Sequence, residues 1–278
     1  MRKAHDQLLD HTLTYPCRSV TDAEVAFYQE YGWVKLRKFL HPDMVALLLE
    51  RGVMLMGQDG QSNEDYGYRQ SYFNPFPCGG LQVPAIREML LAIGKNGKQL
   101  MNRRAGTGTR YFFDTFVPKL PVGRESRRGG NGPTSYHQDF ITFAMDRSGG
   151  MQFWIPLEAC GPEKGTMSFI NGSHKMGVLG NYTAYQGRDI MDVWPELREL
   201  EVSEAMTYEV GDVTVHNHLT VHGAGANTTD SPRWAMITST LPTDAHWNGS
   251  PPEAFDPAHL KPYQLLDEER FPTLAPDD

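Results

Sequence analysis

Ser135-Tyr136-His137-Gln138-Asp139-Phe140 sets an imidazole and a carboxylate two residues apart. In a strand, residues i and i+2 point to one face, so His137 and Asp139 can reach one metal ion. A further histidine from a distant strand would complete a set of two imidazoles and one carboxylate. That set leaves coordination positions open and suits non-heme Fe(II) oxygenases. Spacing alone is weak, because a strand-end histidine beside a solvated acid looks the same. His41-Pro42-Asp43 repeats the spacing. There, proline at the first helical position and an acid in the first turn mark a helix start, and a helix turns i+2 away from i.

The stretch from Gly211 to Arg233 carries complementary chemistry. Gly211-Asp212 is a turn signal, Val213–Asn217 reads as a strand, and His216, His218 and His222 follow closely. A glycine-rich turn then leads to Arg233 at the head of another strand. Arginine grips a carboxylate through two parallel N–H bonds, where lysine offers a point charge. A metal with such a clamp is what a 2-oxo diacid needs: its 2-oxo acid end chelates the metal and its far carboxylate meets the arginine. By alternation His216 and His218 share a face, and both read as satisfied core histidines. Spacing leaves the third ligand open among the three.

The elements that must position these groups start with helices. Thr21 and Glu24 have capping-box spacing, and Gly32 stops that helix. Trp33–Arg37 alternates as a strand. His41-Pro42-Asp43 opens a second helix running to Met56, and Pro84–Met101 reads as a third. Residues 57–80 form a long Gly-, Asn- and Pro-rich connection, and long loops in compact domains are often functional. Short β-like runs follow at Arg110–Pro118, Ser135–Met145, Met151–Leu157, Thr166–Ile170, Met206–Val210, Val213–Asn217 and Trp234–Leu241. Short strands with Gly and Pro punctuation predict a sandwich or barrel. The tail from His246 is Pro-rich and is expected to wrap the surface.

The 278 residues, 40% hydrophobic and 11% aromatic, suffice for a sizeable core in one domain. A net charge of −8 argues against a nucleic-acid binder. The basic run Arg124, Arg127 and Arg128 sits among glycines and reads as a solvated loop, with a lid for an anionic substrate as the alternative. Cys17, Cys78 and Cys160 are scattered and odd in number, which suits a reducing compartment. The N-terminus lacks the apolar stretch of a signal peptide, and no run approaches a membrane span. A cytoplasmic protein without membrane partners is expected, and a homodimer stays open.

Together these segments resemble the phytanoyl-CoA dioxygenase family of Fe(II)/2-oxoglutarate oxygenases, roughly from Thr21 to Leu241. Tyr31-Gly32-Trp33-Val34-Lys35-Leu36 resembles the family's first helix and strand, and residues 135–140 its His-x-Asp segment. Met151–Leu157 resembles the strand that follows, and Ile170-Asn171-Gly172-Ser173-His174-Lys175 its structural "PGSHK" turn, which makes His174 a non-ligand. His222 to Arg233 resembles the histidine–glycine–asparagine–arginine segment, and this selects His222 as third ligand over His216 and His218. Gln152 and Trp154 share a strand face, and the family's matching tryptophan lines the cosubstrate pocket. Two departures stand out. Ala224 replaces a common serine, so another hydroxyl would serve the clamp. The order Pro118-Lys119 differs from the family's lysine before proline.

The resemblance implies a double-stranded β-helix (a cupin-like jelly roll) with a helical N-terminal buttress. One domain, 1–278, would comprise a leader (1–20), helical support (21–105), a jelly-roll core (106–245) and a tail (246–278). His137, Asp139 and His222 would hold Fe(2+), and Arg233, with Gln152 and Trp154, would bind 2-oxoglutarate. With O2 as oxidant, the enzyme would hydroxylate a C–H bond of a medium-sized organic molecule, releasing succinate and CO2. Related halogenases lack the carboxylate that Asp139 supplies, so halogenation is not expected. Loops 57–80, 121–134 and 178–195, with Tyr66, Tyr68, Tyr72, Phe73, Tyr182 and Tyr185, are expected to form the substrate rim. The alternatives are a metal-binding jelly-roll isomerase or hydrolase that does not use 2-oxoglutarate, and a non-catalytic binding protein on the same fold.

Overall fold

The computed structural model describes residues 16–60, 80–101, 106–124, 132–180, 189–252, 255–258 and 260–278. Helix α1 (Asp22–Tyr31) begins with the expected capping box: Glu24 N–H donates to the Thr21 hydroxyl, and the Glu24 carboxylate accepts from Thr21 N–H. It ends at Gly32 with φ +82°. A Cβ at Gly32 would lie 2.3 Å from His174 Nδ1, so both backbone and space call for glycine. Strand β1 (Trp33–Leu36) leaves directly from this turn. Helices α2 (Pro42–Met56) and α3 (Pro84–Leu100) both start on proline, as the sequence predicts.

The remaining strands are β2 (Thr109–Phe116), β3 (Thr134–His137), β4 (Met151–Pro156), β5 (Met167–Phe169), β6 (Val213–Asn217), β7 (His222–Ala224), β8 (Ala235–Pro242) and β9 (Thr273–Ala275). They form a six-stranded antiparallel sheet, β1-β6-β4-β8-β2-β9, and a three-stranded one, β3-β7-β5. This is the jelly roll with its helical buttress. Strand alternation sorts the two faces of the large sheet. Phe153, Val215 and Leu36 point outward and pack with Met44, Leu48 and Ile93 of the helices. The alternate residues point inward, where Trp33 stacks on Phe169 at 4.8 Å and Trp154 joins Val117 and Met167.

Three expectations change. The strand expected over Ser135–Met145 ends at His137, and a 3-10 turn covers Phe140–Thr142. Phe140 N–H donates across a loop to His218 O, while the Thr142 N–H and hydroxyl both donate within the turn to Asp139 O. Met206–Val210 forms no strand beyond a bridge of Tyr208 to Cys160, and the Tyr208 hydroxyl turns inward to Thr214. The tail does not merely wrap the surface. Phe255, Leu266 and Phe271 build a buried aromatic core with Phe112 and Phe143, and β9 pairs with β2. Isolated apolar residues among prolines have no periodicity that would reveal their burial.

Among the described residues no helix is long and apolar enough to cross a membrane. Of the expected rim, Tyr66, Tyr68, Tyr72, Phe73, Tyr182 and Tyr185 lie outside the described residues, as do Arg127, Arg128, Cys78 and residues 1–15. Arg124 is described, and its guanidinium donates to Asp230 O at 3.0 Å.

Candidate metal centre

His137 closes β3 and stands opposite His222, the first residue of β7. Their ring centroids are 4.5 Å apart. His137 Nδ1 lies 2.7 Å from Ser135 O, and His222 Nδ1 lies 3.0 Å from Thr220 O. A carbonyl oxygen can only accept, so in each ring Nδ1 carries the proton and Nε2 presents a lone pair.

Asp139 arrives by a route that strand alternation does not describe. β3 has already ended, and the Asp139 backbone is helical at φ −69°, ψ −35°. Gln138 pins this turn. Its buried Nε2 donates to Gly177 O and Leu219 O, while its Oε1 accepts from Leu179 N–H. The turn swings the Asp139 carboxylate back beneath the rings. Oδ1 lies 3.4 Å from His137 Nε2 and 3.9 Å from His222 Nε2. The ligand atoms of His137, Asp139 and His222 fall within 4.8 Å of one another.

These groups are deeper than a rim, with Asp139 9% and His222 5% exposed. Burial pushes the His222 imidazole down to about 3, so it is neutral at physiological pH, the form a metal requires. Burial also acts downward on His137, but the Asp139 carboxylate outweighs it and the net shift is upward. Burial opposes charge on Asp139, yet the surrounding imidazoles hold it well below the usual carboxylate range. Two imidazole nitrogens and an ionised carboxylate therefore converge, and this donor set fits a divalent first-row metal ion with positions left open.

Two further side chains complete the centre. Asp139 Oδ2 accepts from Gln152 Nε2 at 2.7 Å and faces His216 Nε2 at 3.0 Å. Sequence reasoning took His216 for a satisfied core histidine. Its role becomes visible only in the pairing of β4 with β6, where Gln152 and His216 are register partners. His218 does behave as a core residue: Nε2 meets the Ser239 hydroxyl, Phe143 packs on the ring, and burial pushes it down to about 3. His174 lies beside Gly32, outside the cluster.

A cationic subsite adjoins this centre. Trp154, two residues along β4 from Gln152, lies under the Arg233 guanidinium, 4.9 Å from the ring centroid. Arg233 is 5% exposed and donates to Gly165 O and Val117 O. It exchanges both backbone hydrogen bonds with Lys119. Asn227 closes the loop that leads to it, donating to Lys119 O and Ser231 O. Lys119 is buried too, and its Nζ donates to the Thr134 hydroxyl at 3.3 Å. Burial, with Arg233 adding to it, pushes Lys119 down to about 8. Two buried cations side by side repel each other unless an anion joins them. Thr134 is the register partner of Ala224 across β3 and β7.

Residues 119–235 match the family model for phytanoyl-CoA dioxygenase (PhyH), a segment that runs from Lys119 to just past Arg233. A curated relative from Stutzerimonas stutzeri, a probable alpha-ketoglutarate-dependent hypophosphite dioxygenase, is 26% identical over 231 residues, 78% of this chain and 77% of its own length. Among solved structures, SnoK, a non-heme alpha-ketoglutarate-dependent carbocyclase from nogalamycin biosynthesis, superposes with a TM-score of 0.67 at 25% identity, covering 91% of this chain and 96% of its own. The epimerase SnoN, solved with Fe3+, alpha-ketoglutarate and nogalamycin RO, shares the fold with a TM-score of 0.65 at 22% identity, covering 91% and 98%.

Proposed function

We propose that this chain is a non-heme iron, 2-oxoglutarate-dependent oxygenase of the phytanoyl-CoA dioxygenase kind, and that it oxidises an unactivated C–H bond of a medium-sized organic molecule. The observation that carries this reading is the His137–Asp139–His222 cluster together with the Arg233–Lys119 subsite, linked along β4 by Gln152 at the Asp139 carboxylate and Trp154 under Arg233. His137, Asp139 and His222 would hold the iron. With iron and 2-oxoglutarate bound, the centre supplies oxygen activation: R–H, O2 and 2-oxoglutarate give R–OH, succinate and CO2.

The chain's own residues bind, orient and exclude water. Gln152 touches the metal carboxylate and Trp154 touches Arg233. Two residues along a strand span about 7 Å, roughly the reach of a five-carbon diacid. Arg233 and Lys119 receive its far carboxylate, and Thr134 supplies the hydroxyl that Ala224 lacks. Phe169, which packs against both His216 and His222, closes the floor against water. Asp139 supplies the carboxylate whose absence would make room for a halide, so halogenation is not expected. Desaturation, epoxidation and ring formation share the same ligands, and the substrate decides among them.

Anaerobic addition of Fe(II) and 2-oxoglutarate tests the reading, with a weak visible charge-transfer band as the expected result. Arg233→Lys keeps the charge but loses the planar fork. It should weaken 2-oxoglutarate binding by roughly 1.5–3 kcal/mol, the worth of a hydrogen bond to a charged group, with iron binding little changed. No band, together with unchanged 2-oxoglutarate affinity in Arg233→Lys and Arg233→Ala, would favour a jelly-roll isomerase or hydrolase that does not use 2-oxoglutarate.

A further inference from the structure

The fold treats the two oxygens of Asp139 differently. Oδ1 faces the Nε2 atoms of His137 and His222 at 3.4 and 3.9 Å. Oδ2 is met by Gln152 Nε2 at 2.7 Å and His216 Nε2 at 3.0 Å. Both partners are buried, at 5% and 2% exposure, and are register partners on adjacent strands. Their remaining polar atoms, Gln152 Oε1 and His216 Nδ1, have no hydrogen-bond partner among the described residues. Such atoms are costly to bury, and residues chosen only to fill a core would not carry them. Each side chain instead commits its one polar contact to the same carboxylate oxygen.

We propose that Gln152 and His216 are positioning residues that restrict Asp139 to binding the metal through Oδ1 alone. A carboxylate oxygen offers two lone-pair directions, and at Oδ2 both are taken. Turning the carboxylate so that both oxygens met the metal would break both bonds. It would also occupy a coordination position that a bidentate cosubstrate needs. The inference rests on the metal-centre reading above and adds what keeps that centre open. The family resemblance implies a cosubstrate role for Gln152 beside Trp154; in the structure its amide nitrogen donates to the Asp139 carboxylate.

The test uses the apo protein and Mn(II), a redox-stable probe. Gln152→Met and His216→Leu remove one donor each, and His216→Gln returns an N–H near the position of Nε2. Two readouts are taken: the Mn(II) dissociation constant by calorimetry, and the metal-minus-apo infrared difference spectrum with carboxyl-labelled aspartate. One-oxygen coordination separates the two carboxylate stretches more widely than two-oxygen coordination. Gln152→Met and His216→Leu should each weaken Mn(II) binding about 10- to 100-fold, the range for groups that orient metal ligands, and narrow that separation. His216→Gln should recover most of both. Wild-type affinity and separation in Gln152→Met and His216→Leu would overturn the proposal. If His216→Leu does not fold, Gln152→Met and His216→Gln decide the matter alone. Failure of the wild-type chain to bind Mn(II) would instead overturn the metal-centre reading beneath it.

Discussion

At Asp139 one carboxylate serves three imidazoles and an amide. His137→Ala and Asp139→Ala are each expected to abolish 2-oxoglutarate turnover, but their structural consequences differ. His137 stands at the edge of the site, with 15% of its side chain exposed, and should be lost without harm to the fold. Asp139→Ala leaves the N–H groups of Gln152 and His216 without their buried acceptor, a loss of roughly 1–3 kcal/mol. Succinate release and urea unfolding on both variants separate these effects, and residual turnover in either would remove that residue from the ligand set. Lys119 supplies a pH signature. Its folded value is about 8 against an ordinary 10.5, so between these values the unfolded chain binds more protons and stability rises with pH. Cosubstrate binding runs the other way, because it needs the charged amine. The 2-oxoglutarate affinity of metal-loaded protein should be flat below pH 8 and fall by up to about tenfold per unit above it. Lys119→Met should bind more weakly throughout and show a flat profile.

Among the elements, the join of α1 to β1 is the most tightly specified. Gly32 has φ +82°, and its missing Cβ leaves room for His174 and Thr220. The Thr220 hydroxyl donates to Gly32 O, and Asn217 N–H donates to the same carbonyl. The join therefore braces the loop that leads to His222. Gly32→Ala combines a strained backbone with a clash and should cost at least roughly 1–3 kcal/mol. An unchanged urea midpoint would show that the join relaxes freely. β3 gives the contrasting case. The β-like run of aromatic and β-branched residues from Ser135 to Met145 predicts one strand, yet the chain turns after His137. Gln138 spends its hydrogen bonds on Gly177, Leu179 and Leu219, partners remote in sequence, and local periodicity carries no trace of them.

At the scale of the whole molecule, two buried cores bear on the large sheet. One lies between the large sheet and the helices, and the other is the aromatic cluster to which the tail contributes. Phe271 is 3% exposed and contacts Phe112 and Phe255. Phe271→Ala should therefore cost about 3–5 kcal/mol, where a tail lying on the surface would lose almost nothing. Thermal unfolding distinguishes the two. Because β9 extends the large sheet through β2, removal of residues 246–278 should unfold the jelly roll and not merely trim it.

What the sequence determined by itself was local chemistry. Thr21 with Glu24, Pro42 and Gly32 each act within one turn of chain, so helix ends could be named to the residue. His137, Asp139, His222 and Arg233 stood out as candidates because residue type and short spacing suit metal and carboxylate binding, with the family resemblance choosing among three histidines, and the structure brings the first three together. What only the tertiary structure decided was partnership. It placed Asp139 by a turn and not by strand pleat, set His216 and Gln152 on Oδ2, laid Lys119 beside Arg233, put Thr134 opposite Ala224 and buried the tail. Alternation encodes which face a side chain takes, but a hydrogen bond between strands dozens of residues apart depends on sheet order and register. Those are set by the packing of the whole chain.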